Sequence, residues 1–527
     1  MLRPLRAWHC LCQRALLLLV GLLATHAWAQ TWFVEGTPTP AALEVLDWLQ
    51  HAHEHGLAPD DYAVPALAQV VVQGWVHPLP AAQAQRGEAL LDQAVRQFLS
   101  DLHQGRVDPA QLGYRYRPGQ RPRFDAAAVL QQALAAGRPR QALEAAEPAL
   151  PLYASLRRML APYRALVAHP AWGRALAPVP ATARGGVGLL QAGDRYPDAA
   201  LLWQRLQLLG DTADLEAPPP ERYSEALATA VRRFQRRHGL AADGVLGPLT
   251  RAQLEVPPQA RLRQLELTLE RLRWTPLLQE GRGLVVNLPE FVLRGYARQD
   301  GRVQVQTEMK VVVGRALDTR TPVFDEDMRA IEFSPYWNVP PSIARSELVP
   351  KWRRNPGHFQ REGFELVLAG GRVDTTLSPQ RLDDVLAGRA RVRQRPGPLN
   401  ALGDIKFVFP NSDHIYLHHT PAIALFARDR RDFSHGCIRV EDPVALALFV
   451  LQGMPGWDEA RIRQAMTAGT SSSLALAQPL PVLITYGTSL VKAGQVYFYD
   501  DIYGHDRVLD DALRARRVPV TWPQEAR

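Results

Sequence analysis

Three periodicities follow one another along this chain. From residue 41 to about 166, alanine and leucine dominate and apolar positions recur at helical spacing. Leu91, Val95, Phe98, Leu99 and Leu102 share one face, and Gly105 closes the run. Tyr153, Leu156, Leu160 and Tyr163 repeat that spacing and read as core packing rather than as a cofactor site. After a loop-like stretch at 177–188, a compact helical unit begins with residues 201–209. A second helix carries Leu227, Val231 and Phe234 and stops at Gly239. Asp243-Gly244-Val245-Leu246-Gly247-Pro248 then supplies turn glycines and a proline suited to the first turn of another helix.

From about Gly283 the period becomes two. Val303, Val305, Thr307, Met309, Val311 and Val313 alternate with Arg302, Gln304, Gln306, Glu308 and Lys310 after the turn signal Asp300-Gly301, which predicts antiparallel strands with one buried face. Further short strands are predicted at 329–333, 404–409, 414–418 and 482–486, giving a sandwich or barrel-like core. Between Trp337 and Pro396 the alternation lapses, and an insertion at about 344–400 reads as a lid over a site. Its row Arg389, Arg391, Arg393 and Arg395 is either a basic strip suited to a carboxylate-rich substrate or a solvated edge strand. The fold class is therefore an α+β multidomain protein. It comprises a helical region at 30–188, a small three-helix domain at 189–256, a mainly β domain at 257–490 and a C-terminal extension at 491–527.

Composition changes this picture at the N-terminus. Arg3, Arg6 and Arg14 precede a short apolar run at 15–23 and the small-residue site Ala27-Trp28-Ala29, the pattern of a secretory signal peptide cleaved after about Ala29. No later stretch has the roughly 20 apolar residues of a spanning helix, so no integral membrane segment is expected after cleavage. Losing three arginines takes the formal charge from +8 to +5, a small excess for this length. Export and the scatter of the arginines both argue against nucleic-acid partners.

Cys10 and Cys12 precede the apolar run and leave with it, so the mature chain keeps a single cysteine, Cys437. A lone thiol in an exported protein forms no intrachain disulfide and is a candidate nucleophile. It lies in Ser434-His435-Gly436-Cys437-Ile438-Arg439, behind the histidine-rich strand Tyr416-Leu417-His418-His419. An imidazole that ion-pairs with the thiol lowers its pKa, and a glycine lets backbone approach a reacting carbonyl. Amides of the Gly436-Cys437 turn are candidates for an oxyanion hole. His418 and His419 point to opposite faces if the strand continues, so one of them at most meets the thiol. His419 and His414 are read as polar surface residues. A zinc site from His418, His435 and Cys437 has suitable ligand types but matches no common zinc spacing.

Two segments resemble known families. Val231-Arg232-Arg233-Phe234-Gln235 with Gly239-Leu240, Asp243-Gly244-Val245 and Gly247 resembles the small peptidoglycan-binding domain of cell-wall enzymes. His418, followed by Ser434-His435-Gly436-Cys437-Ile438-Arg439, resembles the catalytic motif of the L,D-transpeptidases. Tyr416 to Pro421 and Leu425 to Asp429 are similar to the large periplasmic members. The resemblance implies Cys437 as acylated nucleophile, His418 as its base and Gly436 beside the oxyanion, with His435, Ser434, Arg439, Tyr416 and Trp337 around the substrate. It also implies a peptidoglycan tetrapeptide stem as donor, attacked at diaminopimelate with loss of D-alanine, and another stem as acceptor. No cofactor or metal, a periplasmic location, cell-wall synthesis proteins as partners and acylation by carbapenems follow in the same way. The alternatives are a carboxypeptidase, a hydrolase of wall cross-links or lipoprotein links, and a non-catalytic wall-binding scaffold.

Overall fold

A computed structural model describes residues 32–527 apart from 118–122, 180–187, 217–220, 277–280, 301, 317–318, 516–519 and 521–527. The signal peptide and its two cysteines lie outside the described residues. Among those residues no helix is long and apolar enough to cross a membrane. The chain divides into two compact units, 1–106 with 124–149 and 514–527, and 107–123 with 150–513. The helical region read as one block at 30–188 is thus shared between the two.

In the first unit, the helix Ala81–Gln104 buries Leu91, Val95, Phe98, Leu99 and Leu102 completely and ends at Gly105, whose φ of 76° favours glycine. Pro40–Gln50 and Val64–Val76 pack beside it. In the second unit, Pro151–Leu166 buries Tyr153, Leu156, Leu160 and Tyr163 and packs against Pro258–Trp274. The periodicity therefore describes a core, as the sequence implies.

The three-helix domain consists of Ala199–Leu208, Glu225–Arg237 and Pro248–Glu255 around Leu202, Leu206, Leu227, Val231, Phe234 and Leu254. Its motif residues close the fold. Gln235 donates to Asp243 Oδ1, Val245 O and Thr250 Oγ1 at 2.8–3.0 Å and accepts from Gly244 N at 2.8 Å. A Cβ on Gly244, at φ 75°, would lie 2.9 Å from Ala228 O. Arg237 ties this domain to the strand Gln495–Phe498: wholly buried, it pairs with Asp211 and donates to Val496 O at 2.7 Å.

The mainly β domain is built on nine strands: Gly281–Asn287 (β1), Val292–Gln299 (β2), Arg302–Gly314 (β3), Phe324–Phe333 (β4), Ile405–Val408 (β5), Leu417–His418 (β6), Asp432–Ser434 (β7), Ile438–Val440 (β8) and Ser472–Thr485 (β9). Their order is β7-β3-β8-β6-β5-β4-β9-β1-β2, and β3 also pairs with β2, so the sheet curls back on itself. Inward positions such as Val311, Ile331, Phe407, Leu417 and Ile438 are fully buried. The alternation at 303–313 holds for only half its length: Met309, Val311 and Val313 are in the core, whereas Val305 is 51% exposed. The helix Pro443–Val450, capped by Asp442, covers one side. The C-terminal extension belongs to this body as far as Leu513, because Tyr503, Leu509 and Leu513 join the same core, whereas 514–527 falls in the first unit.

The insertion is a folded subdomain rather than a loop. Trp337–Asn338, Arg391–Gln394, Phe364–Val367 and Val373–Asp374 form a four-stranded sheet in that order, with helices packed around Trp352, Phe359, Phe364 and Leu366. The edge-strand reading of the arginine row is thereby corrected. Arg391–Gln394 is an interior strand, not an edge, and Arg393 pairs with Glu365 while Arg389 pairs with Asp384. Two of the four arginines are thus paired with local carboxylates.

Candidate active site

β6 and β8 run parallel, with Leu417 opposite Ile438 and His418 opposite Arg439. Leu417 and Ile438 fill the core, so the pleat turns Tyr416, His418, Cys437 and Arg439 together toward the other face. On the far side of β6, Lys406 of β5 stands opposite His418, and Glu332 of β4 stands opposite Lys406. A polar row of four strands, Glu332–Lys406–His418–Arg439, thus backs the thiol. Lys406 Nζ lies 3.0 Å from Glu332 Oε2 and 4.6 Å from the centre of the Tyr416 ring.

A cavity of about 730 Å³ opens above this face. Lys406, Tyr416 and Cys437 form its floor, and Tyr336, Ser346 and Glu347 of the insertion its far wall. The insertion reaches the Cys437 loop directly, because His435 Nε2 meets Glu347 Oε1 at 2.5 Å.

The loop bearing Cys437 is fixed by backbone geometry. Gly436 has a φ of 115°, and a Cβ there would stand 3.2 Å from Ile415 Cδ1. Thr321 Oγ1 donates to Gly436 O at 2.7 Å, and Thr319 Oγ1 donates to Ser434 O at 3.1 Å. Ser434, only 2% exposed, donates to Cys437 O at 2.5 Å and accepts from Gly436 N at 3.2 Å. Ser434 was expected beside substrate; its hydroxyl is spent bracing the loop. The Gly436 amide is spent likewise, whereas the Cys437 N–H has no acceptor among the described residues. Thr319 and Thr321 were not singled out from sequence. Their only signal is Gly314, where a Cβ would lie 2.0 Å from Thr319 O, so glycine alone lets the bracing segment close in.

The thiol and the imidazole are both neutral at rest. Burial pushes the Cys437 thiol up, opposed by the Tyr416 backbone N–H and hydroxyl and by the positive charges of Lys406 and Arg439. Burial, with Arg439 adding to it, pushes His418 down to about 3 against the pull of the His419 and Leu402 carbonyls. The resting ion pair expected from sequence is therefore corrected: two desolvated groups keep their charges only at a cost that the pair does not recover. His418 Nδ1 lies 2.5 Å from His419 O. A carbonyl only accepts, so Nδ1 carries the proton and Nε2 is left unprotonated. The thiol itself donates to His414 O at 3.6 Å.

Other expected residues are distributed differently. Trp337 packs on Phe364 inside the insertion, 6.2 Å between rings, and it is its neighbour Tyr336 that lines the cavity, as alternation along a strand requires. His419 faces away, with Nδ1 3.5 Å from Asp404, while the His414 carbonyl sits on the thiol. Arg439 is half-buried on the floor strand beside His418, and its Nε has no partner among the described residues.

Comparison with known proteins agrees with this geometry. Residues 281–457 match the L,D-transpeptidase catalytic domain, 195–254 a peptidoglycan-binding domain and 22–160 a scaffold domain. A Haemophilus influenzae protein provisionally named an L,D-transpeptidase is 32% identical over 250 residues, which are 47% of this chain and 49% of the relative, so the match spans about half of its length. Two solved structures align at a TM-score of 0.17, too low to carry an argument about fold. One is a fused zinc-dependent amidase/peptidase and peptidoglycan-binding protein of Clostridium acetobutylicum (11% identity, 57% of this chain and 100% of that one). The other is from Bdellovibrio bacteriovorus (14% identity, 45% and 55%). The cysteine-bearing β domain of this chain is accordingly a catalytic domain of the L,D-transpeptidase family, joined to a peptidoglycan-binding domain.

Proposed function

We propose that this protein cross-links peptidoglycan by L,D-transpeptidation, with Cys437 as nucleophile and His418 as base. His418 Nε2 takes the thiol proton, and the sulfur attacks the diaminopimelate carbonyl of a donor tetrapeptide stem. The oxygen that becomes negative meets the Cys437 N–H. Collapse expels D-alanine, whose nitrogen receives the proton from His418, and leaves a thioester. The amine of a second stem then attacks the thioester, forms the new amide and returns the thiol. The observation that carries this reading is that Cys437, Tyr416 and His418 share one face of two paired strands, with Cys437 and Tyr416 lining a cavity whose far wall the insertion supplies. The Glu347–His435 contact, which brings that roof to the nucleophile loop, supports an amine rather than water as acceptor. The leader read at 1–29 and the wall-binding domain support a periplasmic site of action, alongside cell-wall synthesis proteins.

Incubating the protein and its Cys437→Ala variant with disaccharide-tetrapeptide, and following products by mass spectrometry, tests this reading. A dimer formed with loss of one D-alanine, absent in the variant, is the expected result. Monomeric tripeptide alone would make it a carboxypeptidase, and a dimer formed equally by the variant would remove Cys437 from the chemistry. A carbapenem should add its mass to the protein only when Cys437 is present.

A further inference from the structure

Once the proton leaves Cys437, a thiolate forms in a site whose burial opposes it and whose histidine is itself reluctant to carry charge. Some permanent charge must offset that, and the sheet register shows which. Tyr416 lines the same cavity as Cys437, its N–H and hydroxyl oppose the upward push of burial on the thiol, and the Lys406 ammonium sits 4.6 Å from the centre of the Tyr416 ring. Lys406 is held there by Glu332 at 3.0 Å and by its register opposite His418, and it lines the same cavity as the thiol. We propose that Lys406 is a positioning residue, which fixes the Tyr416 hydroxyl against Cys437 and supplies the fixed positive charge that stabilises its thiolate. This rests on reading Cys437 as the nucleophile.

The other groups around the thiol do not replace it. Arg439 on β8, itself pushed down by burial, acts on the thiol more weakly than Lys406, and Arg315 and Asp413 line the cavity with opposite charges. His418 on β6 is neutral, the His414 carbonyl is uncharged, and His435 on the loop is engaged by Glu347. Glu332 on β4 acts in the opposite sense, because it partly neutralises Lys406. The pair therefore makes a signed prediction: removing the lysine charge disfavours the thiolate, and removing the glutamate charge favours it. A cation near a titrating group moves its midpoint by about 1–3 pH units; Lys406 acts from across a ring, so the low end applies.

The test is the rate of iodoacetamide alkylation at Cys437 against pH in the full chain, read on the Cys437 peptide by mass mapping so that Cys10 and Cys12 do not contribute. Lys406→Met should raise the midpoint by about one unit, roughly tenfold slower alkylation at a fixed pH below it. Lys406→Arg should restore it, and Glu332→Gln should lower it. A purely structural role would leave the midpoint alone, or shift it the same way in Lys406→Met and Glu332→Gln; either result overturns the proposal. Where Lys406→Met fails to fold, Glu332→Gln decides: a lower midpoint supports the proposal and any other result overturns it. The assay needs no turnover, so its failure is separate from failure of the transpeptidase reading, which would appear as a Cys437→Ala variant that still forms dimer.

Discussion

Replacing Ser434 with alanine separates a loop brace from a substrate contact. The hydroxyl of this 2%-exposed serine makes two hydrogen bonds, one to Cys437 O at 2.5 Å and one from Gly436 N at 3.2 Å. Alanine leaves that carbonyl and that N–H facing a gap of one oxygen atom. Each stranded group costs about 1–3 kcal/mol. The remaining braces, Thr321 on Gly436 O and Thr319 on Ser434 O, keep the loop from opening to water and recovering the loss. The total should be about 2–4 kcal/mol, since neighbouring losses are not fully additive. Urea unfolding of the full chain, followed by tryptophan fluorescence, measures it. In the transfer assay kcat should fall with little change in KM, because the brace acts on the position of the sulfur. A stability change under about 1 kcal/mol, with KM raised tenfold, would refute the reasoning and return Ser434 to the substrate.

Two more predictions follow from buried charge. Asp211→Ala strands the Arg237 guanidinium between the three-helix domain and the strand Gln495–Phe498, and should cost about 3–5 kcal/mol in the same urea experiment; a loss under about 1 kcal/mol would mean that the pair is solvated. His418 sits at about 3 in the fold against 6.5 when unfolded, so between those values the unfolded chain holds a proton that the native state lacks. Stability then rises with pH through that window, by up to about 1.4 kcal/mol per unit, and is lost on acidification. His418→Gln should flatten this limb by up to one proton, and an unchanged slope would show that the imidazole titrates normally.

Helical and strand periodicities are local, and they placed the elements well. The apolar face of Ala81–Gln104 and the inward residues of β3, β5 and β6 follow from spacing alone, because burial selects every third or fourth position in one case and every second in the other. The rarity of cysteine likewise drew attention to Cys437 without any coordinates. Periodicity misled where an element outran its partner, as at Val305 on the exposed half of β3, or where it could not say which of two neighbours faces a cavity, as with Tyr336 and Trp337. Arg393 read as free charge because its partner Glu365 lies 28 residues away.

The sequence by itself therefore determined the elements, the order of the domains and the type of chemistry available, all of which depend on residues close together in the chain. Only the tertiary structure decided what surrounds the thiol. Lys406 meets Glu332 across 74 positions and His435 meets Glu347 across 88, contacts that strand register and an inserted subdomain create. The protonation states were decided there too, because they follow from how much water packing removes from Cys437 and His418, and no local pattern encodes that.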